Sequence, residues 1–498
     1  MSSLARVLVA LALLVVGCAP SSPGLKDGGG GDDDGGGGPD SGGNGFIDAN
    51  TGHGGSGVIM GTVWAPGNAP GMVPAGQEIP IADASIYFSL SEPAANPDHV
   101  YCQMCQENPA GSTRSDSKGH FTLISVPKDQ DIFLVIEKAQ FRLVQTVKVT
   151  SELGLTLTDA QTTLPSKYDP AHGLYIPKVA IAGGDSDHVE DIFGKMKILA
   201  VDSAGSTIES SLNSTDHVDF YGNVNTPALP DDPGDSPFPA HQKGSIHALF
   251  GSLATMKKYH IIFVPCNYQS DVSRLNQPSV RKNIQDYVAA GGHLYVTDWS
   301  SEYEDAAFPE FIQFDQGGTE SVFESHDTTV AQASANTVNA GDGDFGHFAV
   351  HGKAEDPGLA AWLDGQKGPL ITPLGGEDQG FPSSYHDGTM NADDFVIEGA
   401  WNMIRALPTV NIGNDAMGHP IMQKAKVWIS GEFTEKDPPM TTARWPHTVT
   451  FEPSECGRVL YSTYHTAEKV HPGLMAQERV LLYLILELGV CSDVPPIP

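Results

Sequence analysis

The sequence predicts an all-β sandwich followed by an α/β doubly wound domain, and three observations carry that reading. Residues 58–150 break into short apolar runs separated by Gly- and Pro-rich turns, the pattern of a sandwich. From residue 172 to 498, apolar strands alternate with helical stretches, the pattern of βαβ units. Ahead of both, residues 24–57 are mostly Gly, Asp, Asn and Ser, too poor in apolar side chains to fold. A chain of 498 residues has room for two or three domains.

The N-terminus opens with Arg6 and an unbroken apolar run over residues 7–16. That is the length of a signal-peptide core and too short for a membrane-spanning helix. The run ends in Val15-Val16-Gly17-Cys18, which resembles the lipobox of bacterial lipoproteins, with Val15 where that family more often has Leu. The resemblance implies a signal peptide over 1–17, lipidation of Cys18, and a disordered tether over 18–57. It also implies a cell-envelope location, and Ala19 after the cysteine suggests the outer membrane or cell surface. An ordinary secretory signal fits less well, because Val15 stands where such cleavage sites want a small residue. No other segment reaches 18 apolar residues. Within the tether, Asp40, Asn44, Gly45 and Asp48 fall at calcium-loop positions, but Gly42 and Thr51 occupy ligand positions, so an acidic linker is the expected reading.

The chain carries 28 basic and 61 acidic side chains, a net charge of −33. So negative a surface argues against nucleic acid and against docking on anionic lipid, and suits divalent cations or cationic partners. The expected partners are the membrane, through the lipid anchor, and an envelope or extracellular ligand; no cofactor and no metal site are expected.

An exported chain can form disulfides. After Cys18 the cysteines are Cys102, Cys105, Cys266, Cys456 and Cys491, an odd number. Cys102 and Cys105 have CxxC spacing without a helix start to lower a thiol pKa, so a local disulfide is expected rather than redox chemistry. Cys456 and Cys491 are then the pair that staples the C-terminus, leaving Cys266 as the odd thiol.

In the first domain, 58–64, 81–88, 113–123, 132–136 and 144–149 read as strands. The order Gly-x-Val, Ala-x-Ile, then Thr-x-Ser-Asp-x-x-Gly-x-Phe ending at Phe121, then an apolar strand, resembles the carboxypeptidase regulatory-like (transthyretin-like) domain. The resemblance implies a hairpin shaped by Asp116 and Gly119, Phe121 in the core, and a spacer or binding role. The pair Asp116 and His120 reads as turn chemistry.

In the second domain, 176–182 reads as a buried strand, followed by a helix with Asp187 as N-cap and Glu190 three residues on, then a strand over 197–201. Residues 218–247 read mostly as loop. The centre of 259–266 is apolar without alternation, as in a parallel strand buried on both faces. Pro278 opens a helix with Val280, Ile284, Tyr287 and Val288 on one side, Gly291-Gly292 stops it, and 293–298 is the next strand. Residues 395–401, 425–430 and 445–451 read as further strands, and 477–488 as the closing helix.

The succession of the 259–265 strand, the helix ending Asp286-Tyr287-Val288-Ala289-Ala290-Gly291-Gly292 and the strand His293-Leu294-Tyr295-Val296-Thr297-Asp298 resembles the class I glutamine-amidotransferase-like superfamily. So does the late strand that finishes at His465. The resemblance implies a nucleophilic cysteine on the turn after Thr297, but Asp298-Trp299-Ser300-Ser301 stands there. It implies a histidine, present as His465, and an acid two residues on, where Ala467 sits beside Glu468. The triad is therefore broken at its nucleophile. Cys266, at the end of the preceding strand, and Ser300 are the candidate replacements, with His465 as base and an acid such as Glu302 beside the serine. Asp298 and Trp299, at the carboxyl end of a central strand, are the candidate ligand-binding residues.

Residues 315–395 depart from the family and are rich in Gly, Asp and His, among them Glu324, His326, Asp327, Asp342, Asp344, His347, His351, His386 and Asp387. Their spacing matches no ligand pattern. His347 and His351 flank a strand-like segment, which would place them about 13 Å apart, too far to share one ion. The whole architecture resembles lipoproteins of myxobacteria and other deltaproteobacteria, a resemblance that implies no activity. The sequence therefore predicts a membrane-anchored binding or scaffold protein with a degenerate amidotransferase-like domain. The alternatives are an exported hydrolase acting on an envelope or carbohydrate-derived substrate through His465 and Cys266 or Ser300, and a metal- or calcium-dependent adhesin.

Overall fold

A computed structural model describes residues 56–102, 111–183, 187–214, 217–222, 238, 241–266, 274–275, 277–314, 348–366, 392–400, 402, 404–415, 417–433, 444–454, 456–466 and 470–488. Cys18, the tether up to residue 55, Cys105, Cys491, Glu468, the side chain of Trp299 and the insertion residues named above other than His351 lie outside them; the last two tether residues, Ser56 and Gly57, belong to the first strand. Among the described residues no helix is long and apolar enough to cross a membrane. The chain from Ala49 onward forms one unit, rich in β-strand and divided among several sheets.

The first strands are β1 (Ser56–Thr62), β2 (Ser85–Ser89), β3 (Thr113–Arg114), β4 (His120–Pro127), β5 (Asp131–Lys138), β6 (Phe141–Lys148), β7 (Leu155–Thr156) and β8 (Leu174–Tyr175). They form a three-stranded sheet, β4-β1-β7, and a five-stranded sheet, β3-β2-β5-β6-β8. Period-two alternation turns Ile59, Phe121 and Leu123 of one sheet, and Ile86, Leu134 and Ile136 of the other, into a common core. Between β3 and β4, Asp116 Oδ1 accepts hydrogen bonds from the backbone N–H groups of Lys118 and His120 at 2.8 and 2.9 Å, while Gly119 takes φ +78°. This is turn chemistry of the Asx kind.

The later strands are β9 (Val179–Ala182), β10 (Val218–Gly222), β11 (Gln242–Ser245), β12 (Ile261–Val264), β13 (His293–Thr297), β14 (Gln313–Phe314), β15 (Phe348–Ala354), β16 (Phe395–Ala400), β17 (Ile404–Ala406), β18 (Thr409–Asn414), β19 (Pro420–Lys424), β20 (Lys426–Phe433), β21 (Trp445–Phe451) and β22 (Arg458–Ser462). Ten of them form one sheet in the order β11-β10-β9-β12-β13-β22-β21-β20-β15-β16. From β11 to β22 neighbours run parallel, and from β22 to β16 they run antiparallel. Strands are added outward on one side of β9, then on its other side from β12 onward, so the order reverses between β9 and β12. Every residue of β9, β12 and β13 is buried, which is why these strands read as continuous apolar runs. The helix Pro278–Ala289 links β12 to β13 and buries Val280, Ile284, Tyr287 and Val288.

Several sequence expectations are corrected. Residues 197–201 form no strand: Lys197 turns the chain at φ +59°, Ile198 and Leu199 enter the core, and only Val201 makes an isolated antiparallel bridge, to Thr207. Residues 218–247 contain β10 and β11, because Val218, Phe220 and Tyr221 supply the apolar surface that pairs beside β9. The helix after β9 runs Val189–Lys195 with His188 at its N-cap, so Asp187 is free for another use.

The expected cysteine pairing is also overturned. Cys102 is bonded to Cys456, 354 residues away, and not to Cys105; Cys456 is thereby unavailable to Cys491. The cause is packing between the first sheets and the ten-stranded sheet. His260 accepts from Lys178 N–H at 2.8 Å through Nδ1 and donates to the Pro97 carbonyl at 3.0 Å through Nε2. Val100 N–H donates to the Lys257 carbonyl at 3.1 Å. Gly291, at φ +100°, lies so close to Tyr101 that a Cβ would sit 2.2 Å from its carbonyl oxygen. These contacts deliver Cys102 to the segment just ahead of β22.

Candidate functional site

Three chain segments leave the ten-stranded sheet side by side at its carboxyl edge. Cys266 follows β12, Asp298 follows β13 and His465 follows β22, and β12, β13 and β22 are consecutive parallel neighbours. One ligand-type atom from each lies within 4.8 Å of the other two. Cys266 Sγ is 3.8 Å from Asp298 Oδ2. His465 Nε2 is also 3.8 Å from Asp298 Oδ2. The three residues are 2%, 0% and 3% exposed.

Each side chain is fixed from its own strand end. Asp298 has φ +45°, a conformation rare for a residue with a Cβ, and it begins a turn of helix directly after β13. Its carbonyl accepts from Tyr461 Oη at 3.0 Å and Asn402 Nδ2 at 3.3 Å. His465 Nδ1 lies 2.7 Å from the Thr466 carbonyl, which can only accept, so Nδ1 carries a proton and Nε2 is turned toward Asp298. Gln477 Nε2 donates to the His465 carbonyl at 2.7 Å. Gly399, at φ +66°, closes over the imidazole: a Cβ there would be 2.7 Å from His465 Cε1.

Beneath the cluster, Asp187 ties the strand ends together. Its Oδ2 accepts from Thr297 Oγ1 at 2.7 Å, and its Oδ1 accepts from Thr466 Oγ1 at 2.6 Å and Thr466 N–H at 3.0 Å. Thr297 Oγ1 in turn accepts from the Cys266 backbone N–H at 2.7 Å. The carboxyl ends of β9, β12, β13 and β22 are thus locked into one network around a single buried carboxylate. Sequence reasoning missed this role. Asp187 was legible only as a helix cap, since its partners lie 110 and 279 residues away.

The electrostatic setting is apolar and acidic. Burial, followed by the charge of Asp298, holds the Tyr461 hydroxyl well above the usual phenol range. Glu304, in the short helix after Asp298, is pushed well above the usual carboxylate range by burial and then by Asp305, Glu310 and Glu302. Neither of its carboxyl oxygens has a hydrogen-bond partner among the described residues.

Of the sequence-predicted residues, Cys266, Asp298 and His465 meet. Ser300 is buried and donates its hydroxyl to the Pro265 carbonyl at 2.7 Å, so its proton is committed to backbone. The acid beside His465 is Asp298, reached across the sheet. His351 bonds Asp394 at 3.0 Å and is not one of the three clustered residues. No family model matches the chain, and no curated protein matches its sequence.

Proposed function

We propose that the chain is an exported hydrolase, held at an envelope membrane by a lipid on Cys18, with its chemistry at Cys266, Asp298 and His465. The observation that carries this reading is their convergence within 4.8 Å at the carboxyl ends of adjacent parallel strands. The order β10-β9-β12-β13-β22, reversing between β9 and β12, supports reading the later region as a doubly wound α/β domain of the amidotransferase-like kind. The two facing sheets before it support reading that part as the regulatory-like sandwich. Asp298 then occupies the strand-to-helix elbow where the amidotransferases carry their cysteine, and its positive φ is the strain such elbows hold.

The nucleophile is water rather than the Cys266 thiol. A thiolate is favoured by a neighbouring cation, and the charged atom beside Cys266 Sγ is a carboxylate oxygen at 3.8 Å, which opposes it. That water is activated at the cluster, where His465 Nε2 and Asp298 Oδ2 face each other at 3.8 Å. The substrate class is a carboxylic ester or amide of envelope or carbohydrate-derived material. A second reading, a binding or scaffold protein with a degenerate domain, is favoured by the near-complete burial of the three side chains.

One experiment separates the two. Full chain is produced in bacterial cells, the membranes are isolated, and chromogenic esters and amides are offered. Wild-type membranes hydrolyse one of them above empty-membrane controls, and His465→Gln lowers the rate by about 10²–10⁴-fold. Cys18→Ala moves the activity to the soluble fraction. Wild-type membranes no better than controls, or a His465→Gln rate equal to wild type, leave the binding reading in place; activity that stays on the membrane in Cys18→Ala removes the lipid anchor.

A further inference from the structure

The geometry points to a zinc-class metal site formed by Cys266 Sγ, Asp298 Oδ2 and His465 Nε2, with a fourth position for water. This deepens the hydrolytic reading by naming what activates the water, and rests on it only for the ion's catalytic use. Four observations carry it, and the first is distance. In a tetrahedral site with bonds of about 2.0–2.3 Å, ligand atoms stand about 3.3–3.7 Å apart. Two edges of the triangle are 3.8 Å, and the third is no more than 4.8 Å. Closure of a few tenths of an ångström on two edges, and about 1 Å at most on the third, completes the coordination shell.

The second observation is orientation. A metal-bound histidine donates its other ring N–H to a carbonyl or carboxylate, which presents the remaining lone pair to the ion. His465 does so: Nδ1–H is held by the Thr466 carbonyl at 2.7 Å and Nε2 faces Asp298. A relay of the catalytic-triad kind would instead place the carboxylate on one ring nitrogen and the nucleophile on the other. Here the carboxylate faces the nitrogen that a nucleophile would need.

The third is charge. Without metal, the Cys266 S–H donates to Asp298 Oδ2 at 3.8 Å; once that proton leaves, thiolate and carboxylate, in residues 2% and 0% exposed, repel each other in a medium that screens poorly. A divalent cation between them makes the assembly neutral, the condition under which charged groups tolerate burial. Binding breaks the S–H bond of Cys266 and forms a sulfur–metal bond; the proton leaves to solvent. The fourth is ligand chemistry. Sulfur with imidazole and one carboxylate selects zinc, cobalt or iron-type ions over magnesium and calcium, which want oxygen shells. Three protein ligands leave the fourth position open, as in catalytic rather than structural zinc sites.

The test uses the full chain, stripped with a chelator and titrated with Zn²⁺ and, separately, Co²⁺. Wild type takes up one ion per chain with a Kd unaffected by excess Mg²⁺ or Ca²⁺, and its thermal midpoint rises with Zn²⁺. The Co²⁺ form shows the intense visible bands of tetrahedral cobalt and a near-ultraviolet thiolate charge-transfer band. Cys266→Ser abolishes the charge-transfer band, and His465→Gln weakens binding by more than the 10–100-fold typical of losing an outer-shell partner. Circular dichroism of each stripped variant, matched to stripped wild type, shows that the fold persists. If Asp298→Asn, which keeps the shape, binds as tightly as wild type, the site is wrong. A charge-transfer band that survives Cys266→Ser, or no band in wild type, also overturns it. Metal bound without ester or amide hydrolysis removes the hydrolase reading and keeps the site; hydrolysis that survives stripping keeps the hydrolase and removes the ion's catalytic use.

Discussion

Gly399 shows how little space separates the candidate centre from disorder. Its backbone sits at φ +66°, and a Cβ would press on His465 at 2.7 Å from Cε1, 3.0 Å from Nε2 and 3.3 Å from Nδ1. Gly399→Ala therefore adds backbone strain and a clash with the ring that carries the basic nitrogen. The expected outcome is a loss of about 1–3 kcal/mol of stability, from the strained φ alone, and a loss of function out of proportion to it. The check is urea unfolding beside Zn²⁺ affinity and substrate turnover. A variant with wild-type values for both would mean that the imidazole is not seated by this glycine. At the same scale, Asp187 holds Thr297 and Thr466, and through Thr297 the Cys266 backbone, so it positions the cluster without contacting its reacting atoms.

At the scale of elements, the Cys102–Cys456 bridge joins the segment after β2 to the start of β22, the strand that ends near His465. A crosslink spanning 354 residues removes a large loop-closure entropy from the unfolded chain. Replacing both cysteines with serine should cost about 2–5 kcal/mol, read as a lower urea midpoint. Non-reducing proteolysis with mass analysis should recover a peptide containing Cys102 linked to one containing Cys456. A Cys102–Cys105 linkage in the same digest would contradict the pairing. The link is supported by His260, whose two ring nitrogens join Lys178 and Pro97, with Tyr101 packed edge-on at 5.8 Å.

At the scale of the whole molecule, three buried histidines set its acid tolerance. Burial lowers His260 to about 4, and His293 and His447 to about 3. In each the folded value lies below the unfolded value of about 6.5. Their contribution is therefore intact above pH 6.5 and is lost as pH falls toward 4, because the unfolded chain takes up protons first. Each costs roughly 3 kcal/mol by pH 4, and together roughly 9 kcal/mol, comparable to the whole stability of a typical domain. His188 acts with the opposite sign. Its hydrogen bond to Glu190 raises it to about 9, so its contribution is intact below pH 6.5 and is lost as pH rises through 9. Stability should therefore peak near neutral pH and collapse between pH 6.5 and 4. Urea midpoints measured across that range test this; a midpoint unchanged from pH 7 to pH 4 would show that these histidines are not buried neutral.

Local order in the sequence decided a good deal by itself. The unalternating run ahead of Cys266 read as a strand buried on both faces, as it is, and the spacing of Val280, Ile284, Tyr287 and Val288 specified one buried helix face. Strand ends placed Cys266, Asp298 and His465 at one edge, because parallel neighbours deliver their carboxyl termini to the same side. What the sequence did not hold was which of these side chains meet. Asp298 faces Cys266 across 32 residues of sequence and His465 across a far longer stretch, and only the order β12-β13-β22 brings them together. The same is true of Asp187, whose capping signature near Val189 was outweighed by two threonine hydroxyls at and beyond the ends of distant strands. It is true of Cys102, whose near neighbour in sequence lost to a distant partner. Periodicity and turn residues are local, so they specify elements. Pairings between groups hundreds of residues apart depend on which sheet edges and loops pack together, and the tertiary structure decided those.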